Sequence, residues 1–146
     1  IKDYVIKPNE ILKIPTGYKA TFESDEMLMI VVRSSMGFKY NVRLTNQVGI
    51  IESDYYNNPD NEGHMWVCLQ NHGDKEYIIN KGDAYAQGIF VKFLTTDDDC
   101  VNKTRVGGLG STNKKKEGNE NEQELWRLPE YTGQFHDVRY TGYWRK

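Results

Sequence analysis

Short apolar runs separated by turn-forming residues make up most of the chain up to residue 100. Pro, Gly and Asn stand between the runs, as in segments 7–10 and 15–17. Runs of this length, bounded by turn residues, are typical of β-strands. The strands predicted in this way span residues 5–6, 11–14, 18–22, 27–32, 40–44, 48–51, 64–69, 77–79 and 84–93. No convincing amphipathic helical period occurs before residue 114, so the pattern predicts an all-β fold in the form of a closed or nearly closed barrel.

Two of these runs predict different burial. Residues 27–32 are continuously apolar and end in β-branched residues, which predicts a strand buried on both faces. Residues 40–44 alternate between apolar and polar positions, which predicts a half-buried strand.

The character of the chain changes after Thr112. Residues 114–124 are charged, carry no apolar side chain and are predicted to be a linker. Residues 125–146 are rich in aromatic side chains, which usually bury against something. The sequence therefore predicts a domain at 1–113, a linker at 114–124 and a tail at 125–146 that docks on a neighbouring subunit or another protein. The aromatic residues on which this expectation rests are Trp126, Phe135, Tyr143 and Trp144.

Composition narrows the classes of partner. The 146 residues carry a formal net charge of −2, so no overall positive field points to nucleic acid or a membrane surface. No apolar run approaches the roughly 20 residues that cross a bilayer, and no secretory signal pattern opens the sequence. Cys68 and Cys100 lack the His or Cys spacing of a zinc site or disulfide scaffold. These features favour a reducing, cytoplasmic setting.

The most informative stretch is 46–58. The apolar run 48–51 leads into an acid, Glu52, and an aromatic residue, Tyr55, within a loop rich in Asn, Pro and Asp. An acid at a strand end beside an aromatic ring can act as a base next to a stacked substrate. Taken alone, the same pattern also fits a polar turn after a buried strand.

Two other segments have the residues of an anion site. Arg33, Ser34 and Ser35 follow an apolar strand and offer a guanidinium fork with two hydroxyls, although such a tripeptide is also common in solvated turns. In 105–112, three glycines let the backbone approach a phosphate closely, and Arg105 can add positive charge.

Together these segments resemble the motifs of the trimeric dUTPases. Residues 49–55 resemble the third signature motif of that family, and 33–35 resemble the second. Residues 82–87 resemble the fourth, and 105–112 the fifth, a segment that folds over bound nucleotide. The motifs follow one another in the family's order, and the segment 56–64 is similar to a bacterial and phage branch.

The resemblance implies a homotrimer of jelly-roll β-barrels in which each active site takes motifs from all three chains. The implied reaction converts dUTP and water to dUMP and pyrophosphate, with Mg²⁺ held through the phosphates and not directly by the protein. Glu52 takes the place of the family's catalytic Asp, and Tyr55 packs beneath the deoxyribose. Asn46 lies in the hairpin that reads uracil. The nucleotide-binding positions implied are Arg33, Ser34, Ser35, Asn46, Gly49, Tyr55, Gln87, Arg105, Gly108, Leu109, Ser111 and Thr112.

The chain also departs from the family pattern. Glu52 replaces Asp, Ala84 stands where Arg is usual, and Leu109 stands where a Phe commonly stacks on uracil. The first motif would lie just before Ile1, so either a longer native chain supplies it or the protein has lost it. Three departures, namely Glu52, the missing first motif and the added aromatic tail, leave an alternative open: an inactive dUTPase-like trimer used as a structural or interaction module, for example in a virion. A third hypothesis is that the protein regulates genes through protein contacts.

Overall fold

The computed structural model describes residues 3–100 and 132–139, and strands dominate both ranges. They contain ten strands, one α-helix and one short 3₁₀ turn. The strands are β1 (Tyr4–Ile6), β2 (Ile11–Pro15), β3 (Tyr18–Thr21), β4 (Glu26–Val32), β5 (Val42–Leu44), β6 (Gly49–Glu52), β7 (Trp66–Asn71), β8 (Tyr77–Ile79), β9 (Ala86–Lys92) and β10 (His136–Arg139). The helix α1 spans Ser34–Tyr40, and the 3₁₀ turn spans Ser53–Tyr55. This architecture confirms the predicted all-β class.

The described strands form four small sheets, ordered β1-β8, β10-β3, β2-β7-β5 and β6-β4-β9. All pairs are antiparallel except β10 with β3, which is parallel. The sheets meet around one apolar core. Fully buried side chains from different sheets, including Ile6, Ile14, Val42 and Leu69 at 0% exposure, fill it. Each contributes about 2 kcal/mol by the apolar area removed from water.

Strand β4 is buried on one face, not on both. Leu28 and Ile30 point inward and are buried, whereas Met29 between them is only half-buried. Met29 pairs with Ile50 of β6 and Ile89 of β9, which are 51% and 42% exposed. The continuous apolar pattern thus fills the core on one side and forms an exposed apolar sheet face on the other.

Helix α1 was not predicted, because seven residues are too few to show a helical period. Met36 is its one buried residue. Asn41 ends the helix in the left-handed conformation, with φ 53°, and its N–H donates to the Gly37 carbonyl at 3.2 Å. The strand predicted from residue 40 therefore begins only at Val42. No helix among the described residues is long and apolar enough to cross a bilayer.

Part of the aromatic tail docks on its own chain. Strand β10 lies parallel to β3, with His136 opposite Tyr18 and Asp137 opposite Lys19. The expected docking on another subunit or protein stays a prediction. The linker 114–124 and the residues Trp126, Tyr143 and Trp144 lie outside the described residues.

Candidate functional site

The candidate base, Glu52, is the last residue of β6 and is exposed. Its partner across the ladder is Met27, near the start of β4. The chain then enters the 3₁₀ turn, for which Glu52 is the N-cap with φ −93° and ψ 157°. This change of direction leaves the exposed Glu52 at the sheet end and turns Tyr55 into the core.

Tyr55 is less accessible than its predicted role suggests. Its ring belongs to the core cluster and is 7% exposed. Its hydroxyl donates to the His64 carbonyl at 3.2 Å and accepts from Asn61 Nδ2 at 2.8 Å. The contact of this ring with a deoxyribose stays a prediction, and the structure adds a packing role.

Side-chain amides organise the loop after Tyr55, a feature that the sequence analysis did not identify. Asn58 is buried, and its Nδ2 donates to the Tyr55 carbonyl at 2.9 Å. Its Oδ1 accepts from the N–H groups of Asp60 and Asn61 at 3.0 and 3.2 Å. Gly63 has φ +80°, and a Cβ there would lie 2.7 Å from the Tyr55 carbonyl oxygen. The abundance of Asn in 57–61 was the available signal, since Asn side chains commonly bond nearby backbone.

His64 closes this loop from inside the protein. It is 2% exposed, and its Nε2 accepts from the Gly17 N–H at 3.0 Å. Burial lowers the pKa of His64 from 6.5 to about 4, so the imidazole is neutral at pH 7. These contacts give His64 a structural role in the loop.

The turn that carries Asn46 connects two sheets. Asn46 is exposed, and its carbonyl accepts from the Val48 N–H at 2.7 Å. The flanking strands do not pair with each other, because β5 pairs with β7 and β6 pairs with β4. The predicted hairpin at Asn46 is therefore wrong, although the tight turn is present. Gly49 starts β6, where an added Cβ would lie 3.3 Å from Ile30 Cβ and 3.9 Å from Asn46 Nδ2.

Arg33 joins the second and fourth motif segments. It lies between β4 and α1, and its exposed guanidinium donates through Nη1 to the Ala84 carbonyl at 3.2 Å. The following Ser34 is exposed and Ser35 is half-buried, both in the first turn of α1. The two hydroxyl-bearing residues thus directly follow Arg33 in the sequence.

Asp83 folds the turn that presents the Ala84 carbonyl. Its Oδ2 accepts from Asn80 N at 2.9 Å and Asn80 Nδ2 at 3.0 Å. These Asn80 groups hold the pKa of Asp83 below its usual range, with a smaller contribution from the charge of Arg33.

Gln87 belongs to the same end of the sheet as Arg33. It is exposed on β9 and pairs with Val31, two residues before Arg33. Glu52 pairs with Met27, at the other end of β4. Arg33 follows Met27 by six positions, which corresponds to about 20 Å along an extended chain. One chain therefore brings Arg33 and Gln87 together and holds both far from Glu52.

The described residues also line an open cavity of about 560 Å³. Its walls are mostly apolar, with Leu28, Ile30, Val67 and Phe90 among them, and Gln87 also lines it. Glu52 and Tyr55 are not among the lining residues, so this cavity is separate from the candidate base.

Two further expectations concern the fifth motif and the metal ion. The predicted phosphate contacts in the fifth motif lie outside the described residues: Arg105, Gly108, Leu109, Ser111 and Thr112. In ranges 3–100 and 132–139, no group of three or more His, Cys, Asp or Glu residues is placed to hold a metal ion.

Comparison with known proteins identifies the family. The sequence model of the dUTPase family matches residues 1–113. A deoxyuridine 5′-triphosphate nucleotidohydrolase from Lactococcus lactis is 48% identical over 107 residues, covering 72% of this chain and 71% of that protein. The crystal structure of a dUTPase from Streptococcus mutans superposes with a TM-score of 0.61 at 38% identity, covering 66% of this chain and 75% of that one. A dUTPase from phage phi11 of S. aureus shares the fold at 17% identity, with a TM-score of 0.53 over 70% of this chain and 78% of that one. The fold and the family predicted from the sequence are thus confirmed, and the chain belongs to the dUTPase family.

Proposed function

We propose that the protein hydrolyses dUTP to dUMP and pyrophosphate in a homotrimer. The observation that carries this proposal is the placement of the motif residues at exposed strand ends of a dUTPase fold. Glu52 is exposed at the end of β6, and Arg33 and Gln87 are exposed at the opposite end of the same sheet. The match to the dUTPase family, residues 1–113, spans all of these positions.

The separation of Glu52 from Arg33 supports a site assembled from several copies. A single chain offers the base at one sheet end and the guanidinium about 20 Å away. Closed cyclic symmetry repeats both ends around an axis, so the base of one copy can face the guanidinium of the next. The exposed apolar sheet face at Met29, Ile50 and Ile89 is a surface for the contact between copies.

The proposed chemistry is attack of water on the α-phosphorus. The Glu52 carboxylate accepts a proton from the water while the water oxygen forms its bond to the α-phosphorus. The bond from the α-phosphorus to the oxygen bridging the β-phosphate breaks, and pyrophosphate leaves. Arg33 presents a planar fork to phosphate oxygens, with the hydroxyls of Ser34 and Ser35 next in the chain. Catalysis then consists of positioning and charge neutralisation.

Mg²⁺ fits this scheme as an ion carried mainly by the substrate. The described residues have no cluster of three or more potential ligands, whereas a triphosphate supplies several oxygens of the kind that Mg²⁺ prefers. When bound, the ion would neutralise charge on the phosphates. In the rest of the scheme this chain binds the nucleotide, orients it and takes up the proton.

A panel of nucleotides tests the proposal. Pyrophosphate release is measured with dUTP, UTP, dCTP and dTTP in the presence of Mg²⁺, and dUTP is expected to be the preferred substrate. Arg33→Ala is expected to lose most of the activity. Arg43→Ala is the matched control, since Arg43 donates to Asn41 on the surface at 2.6 Å and lies outside the candidate site. Absence of both turnover and dUTP binding would favour the inactive trimeric module instead.

A further inference from the structure

The docked tail, which we define as residues 135–139, occupies the edge of strand β3. No other described strand pairs with β3. The parallel register runs from His136 opposite Tyr18 to Arg139 opposite Thr21. The His136 N–H donates to the Gly17 carbonyl at 2.7 Å. The N–H of the same Gly17 donates to His64 Nε2. The family match ends at residue 113, so this strand is an addition to the matched fold.

Alternate side chains of the docked tail reach the loop that follows the candidate base. The Phe135 ring lies 4.8 Å from the His64 ring, centroid to centroid. Asp137, two residues on, accepts from the Tyr56 hydroxyl at 3.2 Å. Residues of the docked tail thus contact both ends of the loop 56–64. His136, between them, contacts Tyr18 instead, with the two ring centroids 5.4 Å apart and the ring planes tilted by 42°.

Lys19 contacts both the docked tail and the same loop. Its ammonium lies 3.8 Å from Asp137 Oδ1, donates to Asn57 Oδ1 at 2.9 Å and sits 5.0 Å above the Tyr56 ring. The Lys19 side chain is only 14% exposed, which strengthens its charge interactions relative to fully solvated ones. Tyr56 is thus held by both Lys19 and Asp137, one residue after Tyr55 and four after Glu52.

We propose that the β3 edge, with His64, Tyr56 and Lys19 beside it, is a strand-addition site for the chain's own residues 135–139, and that its occupation orders the loop 56–64. The recognised pattern is an extended segment with an aromatic residue two positions before a carboxylate. Main-chain bonds to β3 supply affinity, and the alternate side chains supply specificity. The docked tail is therefore a positioning element for the nucleotide site, and this last step rests on the proposed function.

Hydrogen exchange of the full chain without nucleotide tests the docking step. Phe135→Ala combined with Asp137→Ala is compared with Asp74→Ala, which removes an exposed carboxylate between β7 and β8. Loss of the ring contact and the carboxylate is expected to speed exchange of the loop amides about tenfold, with core strands unchanged. Tyr56→Phe removes the hydroxyl from the loop side, and combined with Asp137→Ala its effect is expected to be less than additive. Loop exchange equal to that of Asp74→Ala would overturn the proposal.

A second readout separates ordering of the site from a purely structural role. The dissociation constant of dUMP is expected to rise several-fold in the variant that combines Phe135→Ala with Asp137→Ala. By reciprocity, dUMP should slow exchange of the His136 amide in the unmutated chain by the same factor. Tail exchange that is unaffected by bound dUMP would contradict the positioning role. If the unmutated chain neither binds nor hydrolyses dUTP, the proposed function fails, while loop exchange still decides whether the tail orders the loop.

Discussion

Glu52 and Arg33 lie at opposite ends of strand β4. Glu52 is paired with Met27 at the start of the strand, and Arg33 follows Val32 at its end. A rigid sheet fixes this separation at about 20 Å, so side-chain rotation cannot bring the two groups onto one phosphate. Hydrolysis that uses both groups requires that they come from different copies of the chain.

Complementation between two inactive variants tests this requirement. Glu52→Ala and Arg33→Ala are each expected to lose most activity, and random mixed trimers formed by co-refolding should recover it. About a quarter of the sites then combine an intact Glu52 from one copy with an intact Arg33 from another. Pyrophosphate release from the mixture measures the recovery. A mixture as inactive as its two components would show that both groups act within one chain.

The apolar face of the sheet β6-β4-β9 is predicted to contact another copy. Ile50→Asp places a carboxylate where Ile50 is now 51% exposed in the single chain. Burying that charge in an interface would cost several kcal/mol, so the assembly should dissociate at micromolar concentration. Ile78→Asp, at a β8 position that is 55% exposed, is the control. Sedimentation velocity reports the mass, and an unchanged mass for Ile50→Asp would exclude this face.

The buried His64 predicts a pH dependence of stability. Its pKa of about 4 in the folded chain lies below the ordinary 6.5, so the unfolded chain takes up a proton first as pH falls. The free energy of unfolding should therefore decrease between pH 6.5 and 4, by on the order of 3 kcal/mol for this group. Urea unfolding across this range measures the effect. His64→Gln keeps an acceptor for Gly17 and should flatten the dependence, whereas the exposed His72→Gln should leave it unchanged. Equal slopes in all three proteins would contradict the assignment.

Tyr55 is predicted to serve stability through its hydroxyl and sugar discrimination through its ring. Tyr55→Phe leaves the His64 carbonyl and Asn61 Nδ2 without this partner, which should lower the free energy of unfolding by about 1–3 kcal/mol. The ring remains, so the preference for dUTP over UTP should persist. Calorimetry with both nucleotides measures the preference. Equal affinity for the two nucleotides in the unmutated protein would remove the role of the ring.

The sequence predicted the strands well because their apolar runs are separated by strong turn residues. It missed α1, since only Met36 of its seven residues is buried and so short an element has no visible period. Local pattern also identified the candidate residues but not their spacing. That Glu52 and Arg33 fall at opposite sheet ends depends on the register of β6 against β4, which is set by pairing between distant segments.

The docking of the tail on its own chain was similarly beyond the sequence. The aromatic content of 125–146 showed that burial was needed, and the contact of Phe135 with His64 supplies part of it. The choice of β3 depends on which strand edge the rest of the fold leaves open, and no local pattern encodes that.

The length of the Glu52 side chain gives the most direct test of the proposed hydrolysis. Relative to the Asp usual in the family, its extra methylene moves the carboxylate by about one bond length. A misplacement of about 1 Å can cost on the order of 10²-fold in rate. We therefore expect slow release of pyrophosphate from dUTP by the unmutated protein, faster release by Glu52→Asp with similar affinity, and none by Glu52→Ala.

The decisive measurement is the initial rate of pyrophosphate release by these three proteins with dUTP and Mg²⁺, on chains that include any native residues before Ile1. The expected order, from fastest to inactive, is Glu52→Asp, the unmutated protein and Glu52→Ala. A Glu52→Ala variant as fast as the unmutated protein would contradict the role of Glu52, and no release by any of the three would contradict the proposed hydrolysis itself.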